Sequence, residues 1–458
     1  MFETVAVPVW TLLLIALFAA LSILDRVIGP SIRWFLRKRA ERVVAELNKR
    51  LQRPIEPFKL ARRTDMIQRL KYDPEVAEAM VEHSQAEGLR EDVAFEQVER
   101  YAREIVPSFS ASAYFGFGTR VSKWLSQMLF RVRLGAFDEE NIAAIDPDAT
   151  VVFVMNHRSN MDYLLVTWLA AERSALSYAV GEWARVWPLS ALIRSMGAFF
   201  IRRRSRNPLY RKVLARYVQM ATQGGVTQAV FPEGGLSLDG KIADPKLGFL
   251  SYIVTGFKPD GRDVVFVPVA LNYDRVLEDR VLIKAHETGT RKFRAAIPTA
   301  VRFFLRHLGK KLRGKFYKFG YAAVSFGEPV SLAAFAEKHP GDTTKALGKE
   351  LKRRIEAIVP ILPVPLIASI LEGRQEPIAR ADLIDAVTSL HARLTGARIH
   401  VHIPRGDLAY AVETGLRMLL LRRLIVEEDK GYSVVAGQEP VLTFYANSIR
   451  HLMQTAGD

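Results

Sequence analysis

Six short apolar runs recur between residues 149 and 332: ATVVFVMN, LSYAV, GAFFIRR, TQAVFPE, DVVFVPVALNY and YAAVSFGEPVSL. Each is too short for a helix of ordinary length and rich in β-branched or aromatic residues. Runs apolar on both alternating faces suit strands covered on both sides of a sheet. Between them lie segments of helical spacing, such as MDYLLVTWLAAE (161–172) and NPLYRKVLARYVQMATQ (207–223). Strand and helix in alternation predict an α/β layer with a largely parallel sheet flanked by helices. We assign this layer to residues 141–335.

The flanks read differently. Residues 56–140 form a helical N-terminal region, with apolar residues at spacings of three and four in DPEVAEAMVEHSQAEGLREDVAFEQVERYAREIV and no strand alternation over 56–135. Residues 336–458 read as a mainly helical C-terminal region. Pro360, Pro363 and Pro365 punctuate a linker-like turn near its start, and LIVEEDKGYSVV marks a hairpin.

From Thr4 to Leu24 the chain carries no charge, and at ~1.5 Å rise per residue such a helix covers roughly the ~30 Å apolar core of a bilayer. A cleavable leader would begin with basic residues, whereas Glu3 precedes this run. The cations Arg33, Arg37, Lys38, Arg39, Arg42, Lys49, Arg50 and Arg53 follow. Positive charge beside a span marks the cytoplasmic side and suits anionic lipid. Residues 1–55 are therefore expected to form an N-terminal membrane helix with a basic juxtamembrane segment, at the inner (cytoplasmic) membrane with the bulk of the protein facing the cytoplasm. The formal charge of +16 asks for an anionic partner: phosphorylated substrate, anionic membrane lipid or nucleic acid. The segment 291–318 is basic with interleaved aromatics, and an interfacial helix and an ordinary solvated face fit it equally. With no cysteine, disulfides and thiolate chemistry are excluded.

VMNHRSNMDYLL (154–165) poses the chemical question. His157 and Asp162 are five apart, as are His402 and Asp407 in VHIPRGDLAY, so spacing alone decides nothing. On one continuous helix two such residues lie about 140° apart and share no face. Here a strand ends before Asn156, and Ser159 is positioned to cap a helix. His157 then falls on the turn at the carboxyl edge of the sheet, where open α/β folds place their ligands, with Asp162 able to orient its ring. The competing reading makes Ser159-x-x-Asp162 a capping box. His402 and Asp407 flank Pro404 and Gly406 and read as a loop. Three further stretches follow His157. GAFFIRRR ends a strand in guanidinium groups suited to phosphate. VFPEGGLSLDGK ends another in a Gly-rich turn that admits an anion. VVFVPVALNYDR gives an apolar strand with a polar end.

In this order the four stretches resemble the sequence blocks of the glycerolipid acyltransferase superfamily, and within it most closely the membrane glycerol-3-phosphate acyltransferase family. NHRSNMDY is similar to the first block, GAFFIRR to the second, FPEGGLS to the third and VPVALNYDR to the fourth. The final LTFYANSIRHL and the helical stretch ending ERYAREIV also resemble segments of the larger glycerol-3-phosphate enzymes. The resemblance implies an acyltransferase core in which His157 is the general base and Asp162 its partner. It makes Arg202 and Arg203 phosphate-binding, and Glu233 and Gly234 the centre of the third block, with Pro268 in the fourth. Where that family has arginines after the glycine pair, this chain has Leu236 and Leu238; Lys241 and Arg275 are the candidates to replace them.

The implied reaction moves a fatty acyl group from an acyl-CoA or acyl carrier protein thioester to the sn-1 hydroxyl of glycerol 3-phosphate. Acylation of lysophosphatidate or dihydroxyacetone phosphate is the nearest alternative. Ser237 lies in GLSLD rather than a nucleophile elbow, so direct transfer is favoured over an acyl-enzyme. No cofactor, no metal ligand cluster and no nucleic-acid partner is expected, although a membrane-tethered binding protein with a winged helix in 380–433 is the rival from another class.

Overall fold

The computed structural model describes residues 8–171, 173–181, 189–202, 205–290, 309, 313 and 317–456, without the side chains of 21–33, 36, 37 and 40. The chain divides into two compact units, Met1–Pro54 and Ile55–Asp458.

The first unit is dominated by one helix, Val9–Arg50. Val9, Trp10, Leu12, Leu13, Leu14, Ile15, Leu17 and Phe18 are all exposed on it, so apolar side chains leave every side of the helix and not one stripe. Among the described residues no helix is long and apolar enough to cross a membrane. The uncharged run 4–24 lies partly outside them, since its first residues and the side chains after Ala20 are not described.

The second unit is built on an eight-stranded sheet: β1 (Arg131–Phe137), β2 (Thr150–Met155), β3 (Ser177–Gly181), β4 (Phe199–Ile201), β5 (Gln228–Val230), β6 (Val264–Tyr273), β7 (Tyr321–Phe326) and β8 (Val330–Ser331). The order is β1-β7-β6-β2-β5-β3-β4, with β8 beside the start of β6. From β6 through β4 the neighbours are parallel, while β7 and β8 run antiparallel to β6. All six residues of β2 and all ten of β6 are buried, which accounts for their unbroken apolar sequence. Pro268 sits inside β6 without breaking it. On one side it pairs with Val154 of β2, and on the other it falls between the β8 contact ending at Phe266 and the β7 contact starting at Val269. Its missing N–H therefore costs no ladder bond there.

One strand was not expected. β1 is RVRLGAF, whose alternate residues carry exposed charge, and it pairs only with β7 at the sheet edge. Half-exposed edge strands lack the apolar signature that identifies buried ones.

Helices cover the sheet. Pro208–Gln223 starts at Asn207, whose side chain accepts from the Tyr210 N–H, and it buries Leu209, Val213, Leu214, Tyr217 and Val218. Arg216 on its outer side reaches the N-terminal helical region and forks onto Asp73 at 3.0 and 2.8 Å. Asp73 in turn caps the helix Pro74–Glu87. In the C-terminal region the proline cluster is not a linker: Pro363 is the first residue of the helix Pro363–Leu371, and residues 359–368 are all buried. Proline fits that position because the first helical N–H has no partner to lose. Gly415 of Leu408–Leu421 lets this helix approach closely, since a Cβ there would stand 2.9 Å from the Pro363 carbonyl oxygen. The hairpin appears as Ile425–Glu428 against Gly431–Val434. The basic segment 291–318 lies almost wholly outside the described residues.

Candidate active site

β2, β5 and β6 are parallel, so the residues that follow them emerge at one edge. There the chain leaves β2 at Met155, turns through 156–160 and enters the helix Met161–Ala170. Asn156 fixes the start of the turn by exchanging two bonds with the Leu271 backbone of β6, at 3.0 and 2.7 Å.

His157 and Asp162 meet across this turn. His157 Nδ1 lies 2.9 Å from Asp162 Oδ2, and both side chains are buried. The same oxygen accepts the N–H groups of Arg158 (2.7 Å) and Ser159 (3.0 Å), while Oδ1 accepts the Tyr273 hydroxyl from the end of β6 (2.6 Å). The bond to the Ser159 N–H is half of a capping box. The two readings of the sequence are therefore both realised, by one carboxylate oxygen. The helix itself begins one residue later than the Ser159 cap implies, at Met161, whose N–H is taken by Ser159 Oγ at 3.2 Å. With Asp162 accepting at Nδ1, Nε2 becomes the basic nitrogen of the ring. The imidazole stacks on Phe231 (centroids 4.0 Å apart) and meets Tyr163 edge-on.

The third block supports the turn. Glu233 accepts the His157 N–H (2.8 Å) and the Ala243 N–H (3.0 Å), and Ser237 N donates to the His157 carbonyl (2.9 Å). Burial raises the Glu233 carboxyl to about 7. Gly234 has φ +70°, and a Cβ there would press on the Lys246 side chain at 2.8 Å. Leu236 and Leu238 pack against the core, so apolar contact stands where the family has guanidinium groups.

The basic candidates are dispersed. Arg202 turns its fork to Glu104, at 2.9 and 2.6 Å, and this pairing raises its pKa. The N–H groups expected to hold phosphate are given in this structure to a buried carboxylate. Arg203 lies outside the described residues. Lys241 is exposed, and its backbone, not its ammonium, engages Ser237 and Asp239. Arg275 stacks on Phe319 at 4.2 Å. His402 and Asp407 do not form a pair: Asp407 caps Leu408–Leu421, and His402 packs edge-on against Tyr321 with its pKa lowered to about 4 by burial.

Four residues at this edge escaped the sequence reading in any chemical role: Asn156, Arg158, Tyr273 and Glu278. Glu278 accepts Ser159 Oγ (2.8 Å) and Asn160 Nδ2 (3.0 Å), clamping the turn from the far side, and its burial raises its pKa. Arg158 is buried with Nη1 on the Gly240 carbonyl (2.5 Å) and its guanidinium 4.8 Å from the Phe444 ring, while Nε and Nη2 have no partner among the described residues. Asn156 and Arg158 lie within the first block and Tyr273 within the fourth, which is the signal that marks those three; Glu278 lies three residues beyond the fourth and carries no such mark.

A buried histidine–carboxylate pair at the carboxyl edge of a mainly parallel sheet is equipped for proton abstraction beside a bound substrate. Residues 137–272 match the family described as Acyltransferase, which gives the class. Residues 305–457 match the glycerol-3-phosphate acyltransferase C-terminal region. The chain is similar to the glycerol-3-phosphate acyltransferase of Ectopseudomonas mendocina, at 28% identity over 86% of this chain and 49% of that protein. Its counterparts in Pseudomonas syringae pv. tomato and Pseudomonas entomophila are 25% and 26% identical, covering 86% and 91% of this chain and 49% and 52% of theirs. The chain therefore carries an acyltransferase domain followed by a region similar to the C-terminal part of glycerol-3-phosphate acyltransferases. It spans about half the length of the curated relatives it matches. The crystal structure of a 1-acyl-sn-glycerophosphate acyltransferase from Thermotoga maritima aligns with 53% of this chain and 77% of its own at 23% identity, with a TM-score of 0.32, too low to carry weight.

Proposed function

We propose that the chain transfers a fatty acyl group from an acyl thioester, on coenzyme A or acyl carrier protein, to the sn-1 hydroxyl of glycerol 3-phosphate. The observation that carries this reading is the His157–Asp162 pair, buried at the sheet edge with three further donors on the carboxylate. His157 Nε2 takes the hydroxyl proton as the oxygen attacks the thioester carbonyl. The tetrahedral intermediate collapses with loss of the thiolate, which recovers that proton from the imidazolium. Asp162 fixes the ring tautomer and stabilises the transient cation. Similarity to glycerol-3-phosphate acyltransferases supports the choice of acceptor.

The protein acts at the cytoplasmic face of the inner membrane in this proposal, with anionic lipid as a partner. The exposed apolar side chains at the start of Val9–Arg50 and the cations that follow support it. To test the reaction, the purified full chain in lipid is given labelled acyl thioester with glycerol 3-phosphate, dihydroxyacetone phosphate, lysophosphatidate or water alone. Acylated product from glycerol 3-phosphate in excess over the other three is expected. Preferential use of lysophosphatidate, or thioester hydrolysis alone, would overturn the assignment.

A further inference from the structure

A cavity of about 240 Å³ opens between the loop that leaves β6 and the end of the helix Leu408–Leu421. Arg275, Arg280 and Arg422 line it, with Asp279 as the one carboxylate. It is smaller than the ~300–1,000 Å³ usual for drug-sized ligands and has room for a small anionic headgroup.

The charges in it are not balanced. Asp279 is already committed: Oδ2 accepts from Arg422 Nη2 and from the Tyr445 hydroxyl (2.6 Å), and Oδ1 accepts the Arg280 N–H (2.7 Å). Arg280 itself is steadied by Gln438, at 2.8 Å from Nη2. Arg275 is partly buried and stacks on Phe319, with no ion pair or hydrogen bond to its guanidinium among the described residues. Burial and the repulsion of Arg422 both depress its pKa. Asp279 draws on Arg275, yet three guanidinium groups share that one carboxylate, and crowded, partly desolvated cations are costly unless an anion completes the site. Guanidinium groups held in place on aromatic rings suit phosphate oxygens, which take parallel N–H bonds.

The cavity also adjoins the reacting edge. Glu278, which clamps Ser159 and Asn160, immediately precedes Asp279. On the other wall Arg422 bonds Tyr445, whose ring touches Phe444, and Phe444 lies under the buried guanidinium of Arg158 next to His157. Arg202, by contrast, is already paired with Glu104.

We propose that this cavity is a phosphate site, in which Arg275, Arg280 and Arg422 hold a phosphate of a substrate of the reaction proposed above. Two sources share that chemistry, the phosphate of the acceptor and a phosphate of the acyl donor. The acceptor is favoured because the walls join the turn that carries His157.

The test uses the full chain in lipid, with inorganic phosphate as the binding probe and both KM values as the kinetic readout. Arg275→Gln is expected to weaken phosphate binding and raise the glycerol 3-phosphate KM by about ten- to hundredfold, with the donor KM and kcat near wild type. Arg280→Gln, on an exposed first turn, should act in the same direction without threatening the fold; melting temperatures check both. Arg374→Gln, which removes an exposed cation elsewhere, should change neither. A rise in the donor KM alone would keep the phosphate site and assign it to the donor. Unchanged phosphate binding and unchanged KM values in both cavity variants would overturn the proposal. Phosphate binding that depends on Arg275 in a chain with no transferase activity would sink the reaction assignment and leave the site standing.

Discussion

Because Asp162 Oδ2 accepts the His157 ring and two backbone N–H groups together, its loss would release the ring and the turn at once, and a rate measured on such a variant would mix the two. His157 offers the cleaner experiment. His157→Ala should lower kcat by roughly 10²–10⁴, the usual range for a general base, in a protein that still melts cooperatively. His402→Ala serves as the paired control and should leave kcat unchanged; a comparable fall there would show that the base had been misassigned. Tyr273 tests the carboxylate from its other oxygen. Tyr273→Phe deletes the 2.6 Å bond to Oδ1 and leaves a buried acceptor short of a donor, costing about 1–3 kcal/mol of stability in denaturant unfolding. If the hydroxyl also positions the pair, kcat should drop about tenfold while both KM values hold; a KM change alone would move Tyr273 to substrate binding.

At the scale of elements, Asp274 ties three of them together. It follows β6, accepts the Tyr321 N–H that opens β7 (2.7 Å) and accepts the Val364 N–H at the start of Pro363–Leu371 (2.9 Å). Burial raises its carboxyl from 3.8 to about 7. Between those limits the folded protein holds a proton that the unfolded chain has released. Stability from this group is therefore greatest at low pH and declines as pH rises from about 4 toward 7, by at most ~1.4 kcal/mol per pH unit. Unfolding measured across that window should show the slope, and Asp274→Asn should flatten it; an unchanged slope would place its origin elsewhere, with Glu233 the next group to examine. The buried strands were legible in the sequence because burial on both faces leaves an unbroken apolar record, as in VVFVM of β2. β1 was not, since RVRLGAF mixes exposed arginines into an edge strand. The His157–Asp162 pair could be found from its block. That Tyr273 and Glu278 bond to this turn could not be read, because a pairing across more than 100 residues leaves no spacing to follow. Arg202 illustrates the reverse problem: its residue type suits phosphate, and only the fold reveals that Glu104 occupies the fork.

For the molecule as a whole, the proposed attachment combines two physical forces that salt separates. The full chain should float with vesicles containing anionic phospholipid at both low and high ionic strength. A chain lacking residues 1–30 should float at low salt only, since basic residues near an anionic surface contribute about 1 kcal/mol each and are screened. Flotation of the shortened chain that ignores salt would argue against this division of labour. The last helices of the chain carry a different consequence. Tyr445 donates into the Asp279 carboxylate and accepts the Val276 N–H, and Asn447 Nδ2 reaches the Asp239 carbonyl of the third block. A ribosome delivers His157 and Asp162 long before these residues. At ordinary elongation rates the interval is on the order of tens of seconds, during which the reacting edge lacks its C-terminal brace. On the proposed reading, the start of the chain reaches the bilayer well before the helix Glu439–Asn447 is made, so that acyl transfer begins only once this helix has docked on the reacting edge.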